Sequence, residues 1–287
     1  MHASVESSPG TDTDSTAEAV VAGLCIYPVK SCRGIAVVET RLGERGFEHD
    51  REWMIVDPEG RFLTQREVPR LALISVALSA TELELTAQGL APLAMPRDAA
   101  GPARSVTVWG DTVLAIDQGD DAAQWLSTGL GRPVRLVRFD PKGRRLCNPA
   151  YAGQSGAHTG FADAYPLLVL SEASLADLNS RLASPLPMNR FRPNLVLSGL
   201  EAFDEDHIDR VHVGEITLKL VKPCTRCRIT TTDQSTGEVG VEPLPTLALY
   251  RHSARFEGVA FGMNAIILAG AGAAISVGAR ASCRFEF

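Results

Sequence analysis

The residues in this chain best suited to chemistry are Cys224 and Cys227, two thiols three positions apart in Pro223-Cys-Thr-Arg-Cys227. Such spacing serves four purposes. A thioredoxin-type disulfide needs its first Cys at a helix N-terminus, where the dipole lowers the thiol pKa. Here the β-branched run Arg228-Ile-Thr-Thr-Thr232 follows, which predicts a strand and argues against that use. A zinc site would need a second ligand pair. The other four cysteines (25, 32, 147 and 283) stand singly, and His207 and His212 precede the motif without a finger-like helix. The third purpose is structural: two small buried residues at a strand end. The fourth is one thiolate on a soft transition metal, with the other Cys as a neighbour and Arg226 favouring the ionised form. Spacing alone does not separate the last two.

The elements that must position these thiols read as mainly β with some α. From Val20 to about Phe139 the chain is punctuated like an all-β unit. Val20-Val-Ala-Gly-Leu-Cys-Ile-Tyr27 is an apolar run stopped by Pro28, and Trp53-Met-Ile-Val56 and Arg61-Phe-Leu-Thr64 flank the turn sequence Asp57-Pro-Glu-Gly60. Leu73–Leu78, Leu83–Thr86, Val106–Trp109 and Val134–Phe139 are further strand candidates, with a short helix over 121–130. Residues 140–163 have weak periodicity and read as a long inter-domain loop, functional or mobile at that length. Then come a buried-type strand, Tyr165–Leu170, and a helix over 171–182. That helix has Ser171 at the N-cap and Leu175, Leu178 and Leu182 on one face. Asn194–Leu197 and Ile216–Val221 are β-branched or apolar strands. The domains expected are a tail over 1–19, a β-barrel domain over 20–140, a linker over 141–163 and a second domain over 164–287.

Composition narrows the class. At 287 residues the chain suits two domains, and 45% hydrophobic residues suffice for a core in each. Acids and bases are interspersed with a net charge of −6, so no basic stripe offers a nucleic-acid surface. The first twenty residues are rich in Ser, Thr and Asp, without the basic and apolar regions of a secretory signal. The most apolar stretch, 264–278, is too short and too rich in Gly and Ala for a membrane span of about 20 apolar residues and reads as barrel strand and turn. Reduced thiols in the cytoplasm, no membrane and no nucleic acid are the expectation.

Seven stretches together carry a resemblance. They are Ile26-Tyr-Pro-Val-Lys-Ser31 followed by Gly34, Asp50-Arg-Glu-Trp-Met-Ile-Val56, Thr64-Gln-Arg-Glu-Val-Pro-Arg-Leu71, the helix 171–182 with Leu170 before it, Asn189-Arg-Phe-Arg-Pro-Asn194, Cys224-Thr-Arg-Cys-Arg-Ile-Thr-Thr-Thr-Asp233, and Phe261-Gly-Met-Asn264. In this order, from about Val20 to the C-terminus, they resemble the MOSC family, and within it the amidoxime-reducing components and their bacterial relatives. The resemblance implies an N-terminal MOSC β-barrel domain followed by a MOSC domain that is a β-barrel with peripheral helices. It implies a molybdenum–molybdopterin cofactor whose metal is held by the second Cys of the motif, Cys227. Cys224 then becomes a bland buried neighbour. Lys30, Ser31, Arg51, Ser171, Arg192 and Asn194 match the residues that hold the cofactor's phosphate and pterin. Their types suit it, since a phosphate wants cationic and hydroxyl partners and a pterin ring wants matched donors and acceptors. Each also has a plainer use: Lys30 as a strand-end charge, Ser171 as a helix cap, Arg192 and Asn194 as turn braces, Arg51 and Asp50 as a surface pair.

Two departures from the family pattern stand out. Arg228 follows Cys227 where an aliphatic residue is usual, and Asn264 follows the bacterial rather than the animal pattern. Asn264 and Asp233 are the substrate-side candidates, Asp233 equally readable as a turn residue before Gln-Ser-Thr-Gly. The implied activity is two-electron reduction of small N-hydroxylated substrates such as amidoximes and hydroxylamines. The family as a whole is also associated with pyridoxal phosphate binding. The chain has no Cys-x4-Cys-x2-Cys signature and ends at Phe287 soon after its barrel, so a separate electron-donor protein (flavin, iron–sulfur or haem) is expected. Two rival uses keep the thiol: a sulfur or cofactor carrier working through Cys227, and a redox switch of Cys224 with Cys227.

Overall fold

The computed structural model describes residues 15–286. Seven strands form one barrel: Thr16–Ile26, Leu167–Ser171, Leu195–Ser198, Ile208–Val213, Ile216–Thr225, Gly258–Ala269 and Arg280–Phe285. The 258–269 strand pairs back onto 167–171, Leu167 opposite Ala265 and Val169 opposite Met263, and this closes the ring. Closure removes the exposed edges of an open sheet. Only 167–171 and 195–198 run parallel, and the crossover between them carries the helix Glu172–Ser180, as a parallel connection requires.

Alternation explains the inward faces. In Ile216–Thr225 the buried positions are Ile216, Leu218 and Leu220, after which two irregularities in the pairing with 258–269 break the rhythm. Such bulges re-aim side chains. The second falls at Cys224, between Pro223 and Thr225, just ahead of Cys227. In Thr16–Ile26 a bulge between Val21 and Gly23 shifts the phase, so that Ala19, Val21, Leu24 and Ile26 all face the core.

The first half of the chain builds a second core. Trp53–Val56, Arg135–Phe139, Asp111–Asp117 and Ala103–Val108 form a four-stranded antiparallel sheet. Ser75–Leu78, Glu82–Thr86 and Leu93–Pro96 form a meander. Trp53, Ile55, Leu71, Leu83, Leu126 and Leu136 pack together, the last but one from the helix Asp120–Leu130.

Several expectations are corrected. Strand pairing crosses the boundary drawn at residue 20: Thr16–Ile26 is a barrel strand, with Ala17 opposite Cys283 and Val21 opposite Leu197. Residues 16–19 are therefore strand rather than tail, and 1–14 lie outside the described residues. Residues 141–163 are not a plain loop. Arg145–Leu146 pairs with His158–Thr159 around the one-turn helix Pro149–Ala152. Buried Arg145 pins the segment by donating to the carbonyls of Ala162 (2.6 Å) and Asp163 (2.7 Å). Residues 61–64 make only isolated bridges, Phe62 with Val56 and Arg61 with Thr107. Arg228–Thr231 is a 3-10 turn and not a strand. The hydroxyls of Thr230 and Thr231 donate to the carbonyls of Cys227 (3.0 Å) and Arg228 (2.8 Å), and this local bonding overrides β-propensity. Among the described residues no helix is long and apolar enough to cross a membrane.

Candidate functional site

A cleft of about 130 Å³ lies where the closed barrel meets the first-half sheet. Lys30, Ser31, Arg51, Arg192, Asn194, Cys227 and Asn264 all line it. They come from segments up to 234 positions apart.

Backbone strain marks the floor. Of seven non-glycine residues in the left-handed region among the described residues, four line the cleft: Ser31 (φ 69°), Arg51 (φ 48°), Trp109 (φ 55°) and Arg192 (φ 56°). Each costs of order 1 kcal/mol and persists only where surrounding contacts hold it, which is characteristic of functional sites.

Those contacts centre on Tyr27, nearly inaccessible, whose ring centroid lies 4.2 Å from both the Arg51 and the Arg192 guanidinium. Its hydroxyl donates to the Pro193 carbonyl at 3.1 Å. Gly34 is needed beside it, because a Cβ there would stand 2.4 Å from Tyr27 Cε1 and 2.8 Å from Cys25 Sγ. Two buried amides brace the floor further. Gln65 and Gln234 exchange hydrogen bonds of 3.0 and 2.9 Å, and Gln65 Nε2 also donates to the Ser31 carbonyl at 2.7 Å.

The cations differ in how they are balanced. Lys30 Nζ donates to the Phe161 carbonyl (2.8 Å) and to Asp163 Oδ1 (2.5 Å). Burial pulls the Lys30 ammonium below its ordinary pKa, and Asp163 only partly restores it. Arg51 grips both oxygens of Asp50 at 2.7 and 2.6 Å. This is a buried pair and not the surface pair of the plainer reading, since the Asp50 side chain is 1% exposed. Arg192 is different. It is buried, donates to the Cys32 carbonyl at 2.8 Å, and has no carboxylate partner among the described residues. Burial lowers its pKa, against the attraction of Tyr27. An uncompensated buried cation is costly, and an anion in the cleft would relieve it. Asn194, at 1% exposure, ties the floor to the barrel: Oδ1 accepts from Arg51 Nη1 (3.0 Å) and Leu168 N (3.2 Å), while Nδ2 donates to the Cys25 carbonyl (3.1 Å).

At the rim Cys227 is exposed and caps the 228–231 turn. Cys224 is not the bland buried neighbour expected. It is half-exposed, lines the same cleft, and accepts a hydrogen bond at 2.9 Å from Arg226 Nη1. The expected assistance of Arg226 therefore goes to the Cys224 sulfur. Arg226 Nε is buried without a partner. Opposite, Asn264 Nδ2 donates to the Lys222 carbonyl at 3.1 Å, which leaves its Oδ1 as a free acceptor for the cleft.

Two expected residues stand elsewhere. Ser171 is fully buried, accepts from Ser174 N at 3.0 Å as the helix cap, and donates its hydroxyl to Ser174 Oγ at 2.8 Å. Its backbone N–H donates to Glu205 Oε1 at 3.2 Å, so the Glu205 carboxyl already occupies this helix terminus. Asp233 does not line the cleft either. It accepts from Ser235 N (2.8 Å) and Thr236 N (3.1 Å) and pairs with Arg190 at 2.8 Å. It shapes the turn that presents Gln234.

Sequence reasoning missed Asp163 and Trp109. Asp163 is the carboxylate of the cleft among the described residues, and Trp109 Nε1 donates to it at 3.1 Å. Asp163 is exposed, and the Lys30 charge and hydrogen bond, with the bond from Trp109, hold its carboxyl well below the usual range. The only signal was an Asp between two small residues ahead of a buried strand.

Comparison with known proteins agrees with this architecture. Residues 18–133 match the MOSC N-terminal beta barrel domain and residues 156–281 match the MOSC domain. The chain is 42% identical to mitochondrial amidoxime-reducing component 1 of Mus musculus, over 80% of this chain and 71% of that protein. It is 40% identical to component 1 of Homo sapiens (80% and 72%) and 37% identical to component 2 of Rattus norvegicus (80% and 72%). With a closed barrel, a cationic cleft between its two halves and matches of this extent, the chain belongs to the MOSC family.

Proposed function

We propose that this protein binds the molybdenum–molybdopterin cofactor with Cys227 as metal ligand and reduces small N-hydroxylated compounds, amidoximes and hydroxylamines, by two-electron transfer. One observation carries the reading: an exposed thiol stands at the rim of a cleft whose floor holds two buried cations, Lys30 and Arg192, and the half-buried Arg51, with Arg192 lacking a carboxylate partner among the described residues. The printed names of the mouse, human and rat relatives, amidoxime-reducing components, support the substrate class.

The donor set fits such a group. Lys30, Arg51 and Arg192 suit a phosphate, and Ser31 and Asn194 offer polar atoms beside it. The cleft is smaller than the roughly 300–1,000 Å³ of ordinary ligand pockets, so the bulk of the ligand would lie over the open rim, beside the soft sulfur of Cys227. When bound, the cofactor supplies a metal centre that exchanges two electrons with the substrate. The protein's own residues do the rest. Lys30 and Arg192 anchor negative charge, and Tyr27 and Asn194 fix the guanidiniums. Cys227 biases the metal, and Asn264 Oδ1 accepts a hydrogen bond from the substrate's N–H or O–H. Asp163 is held ionised and is no acid, so the protons for departing water enter from solvent at the open mouth.

Electrons come from a separate flavin, iron–sulfur or haem protein, a proposal that turnover with purified protein and NADH alone contradicts. The reductase reading is tested by supplying a chemical electron donor to molybdenum-loaded protein with benzamidoxime and hydroxylaminopurine. Benzamidine and the aminopurine are expected. Full loading with no product overturns it. Exposure of Cys227 also suits a carrier that must present its sulfur. Transfer of labelled sulfur by protein that takes up no molybdenum favours that reading, and a titratable 224–227 disulfide without metal favours a redox switch.

A further inference from the structure

The wall beyond Asn264 has a chemistry of its own. Lys222 is the register partner of Asn264 on the neighbouring antiparallel strand, so their side chains share a face of the sheet. Asn264 lines the cleft, and Lys222 stands next to it, away from the Lys30–Arg192 floor. The Lys222 ammonium lies 4.8 Å from the Tyr151 ring centroid and 5.7 Å from that of Phe256, and the two rings are 6.2 Å apart. The guanidinium of Arg255, an exposed residue, lies 5.2 Å from the Phe256 ring centroid. Tyr151 packs in one cluster with Tyr165, which itself lines the cleft, so the aromatic pair stands beside the cleft.

The charge here is unspent. Lys222 is half-buried, and among the described residues no carboxylate pairs with it. Its cation is held only by ring faces, an attraction worth about 0.5–2 kcal/mol that leaves its N–H donors available. The chain as a whole carries −6, so a cation left unpaired beside the cleft is a local feature and not a spill-over of net charge. Aromatic faces with a cation between them suit a planar ligand that ends in an anion.

We propose that Lys222, with Tyr151 and Phe256, forms a specificity subsite that selects planar N-hydroxylated substrates bearing an anionic group, a carboxylate or phosphate, on the end remote from the N–O bond. The N–O end would face Asn264 and Cys227, and the anion would sit on Lys222. The subsite rests on the reductase reading above.

The test compares benzamidoxime with 4-carboxybenzamidoxime on the molybdenum-loaded protein with one chemical donor, so that donor effects cancel in the ratio. The carboxylated substrate is expected to have a kcat/KM about five-fold higher, expressed in KM, the size of one charge-assisted contact at a half-buried site. Lys222→Gln should abolish the preference, Lys222→Arg should keep it, and added salt should shrink it. Calorimetric binding of both compounds to the oxidised protein, without any donor, should show the same ranking. Equal affinity for the two compounds in the parent protein, or a preference that survives Lys222→Gln, overturns the subsite. Loss of molybdenum in Lys222→Gln also overturns it, by assigning the residue to the cofactor. If neither compound is reduced at full loading, the reductase reading fails, while the calorimetric ranking still decides the subsite.

Discussion

Arg51 donates to the Asn194 carboxamide oxygen at 3.0 Å, joining residues 143 positions apart across the floor of the cleft. The two halves of the chain are thereby fastened at the point where the charges gather. Asn194 spends both ends of its amide on this, holding Arg51 and Leu168 N with Oδ1 and the Cys25 carbonyl with Nδ2. Asn194→Leu removes all three bonds from a nearly inaccessible position. We expect a loss of about 2–3 kcal/mol in urea unfolding. A loss below about 0.5 kcal/mol would mean the floor does not depend on this amide.

Arg192 makes the opposite prediction for the cofactor-free protein. Its guanidinium is buried beside Arg51 and Tyr27, with no carboxylate among the described residues to balance it. Arg192→Met keeps the volume and removes the charge, at the cost of the bond to the Cys32 carbonyl. Without cofactor the variant should be more stable than the parent by about 1 kcal/mol. In the same variant, molybdenum bound after cofactor-replete expression should fall several-fold. A variant less stable without cofactor would show that Arg192 is already satisfied by the fold.

Asp233 should behave as a turn residue. Hydrogen bonds from Ser235 and Thr236, then the charge of Arg190, hold its carboxyl well below the usual range. A depressed carboxylate stabilises the fold above its ordinary pKa of about 3.9 and ceases to do so as pH falls toward its native value. Asp233→Asn should therefore lower stability at neutral pH, with the difference from the parent starting to shrink as pH falls below about 4 and closing only toward the depressed native pKa. Its KM and molybdenum content should stay near those of the parent. A selective fall in kcat would return Asp233 to the catalytic machinery.

Ser171 and Glu205 give the converse pH signature. Burial raises the Glu205 carboxyl, against hydrogen bonds from Ser174 and Ser171. A raised carboxyl holds its proton to higher pH in the folded than in the unfolded state, so its contribution is present below the unfolded pKa of about 4.3 and is lost as pH rises through the folded value. Relative to Glu205→Gln, the parent should lose stability as pH rises from about 4 toward 7. Ser171→Ala should cost about 1 kcal/mol through the lost cap and leave bound molybdenum intact. Metal loss in that variant would place Ser171 in the cofactor site after all.

The elements carried by periodicity were readable without the structure. Leu175 and Leu178 announced a helix with Ser171 as its cap, and Trp53–Val56 and Val134–Phe139 announced strands that turn out to pair with each other. What escaped was non-local or side-chain-driven. No local pattern tells that Thr16–Ile26 crosses to the barrel of the second half, because its partners, Leu197 and Cys283 among them, lie far along the chain. The run 228–232 has β-propensity, yet Thr230 and Thr231 bond back to the preceding carbonyls and coil it. In the site, Lys30, Arg51 and Arg192 were legible as cations in recurring motifs. Their differing balance was not, since it depends on Asp163, which comes from the segment read as a linker and reaches Lys30 only in three dimensions. Arg226 was read as serving Cys227, and only the geometry reveals that it serves Cys224.

The most direct measurement is the molybdenum content of two single variants expressed side by side with ample cofactor. Cys227→Ser should carry almost none, because a hydroxyl is a hard, weakly ionised substitute for the rim thiolate, while Cys224→Ser should carry as much as the parent. Equal metal in both variants, or its loss only from Cys224→Ser, the sulfur that Arg226 holds, would contradict the assignment of Cys227 as the ligand.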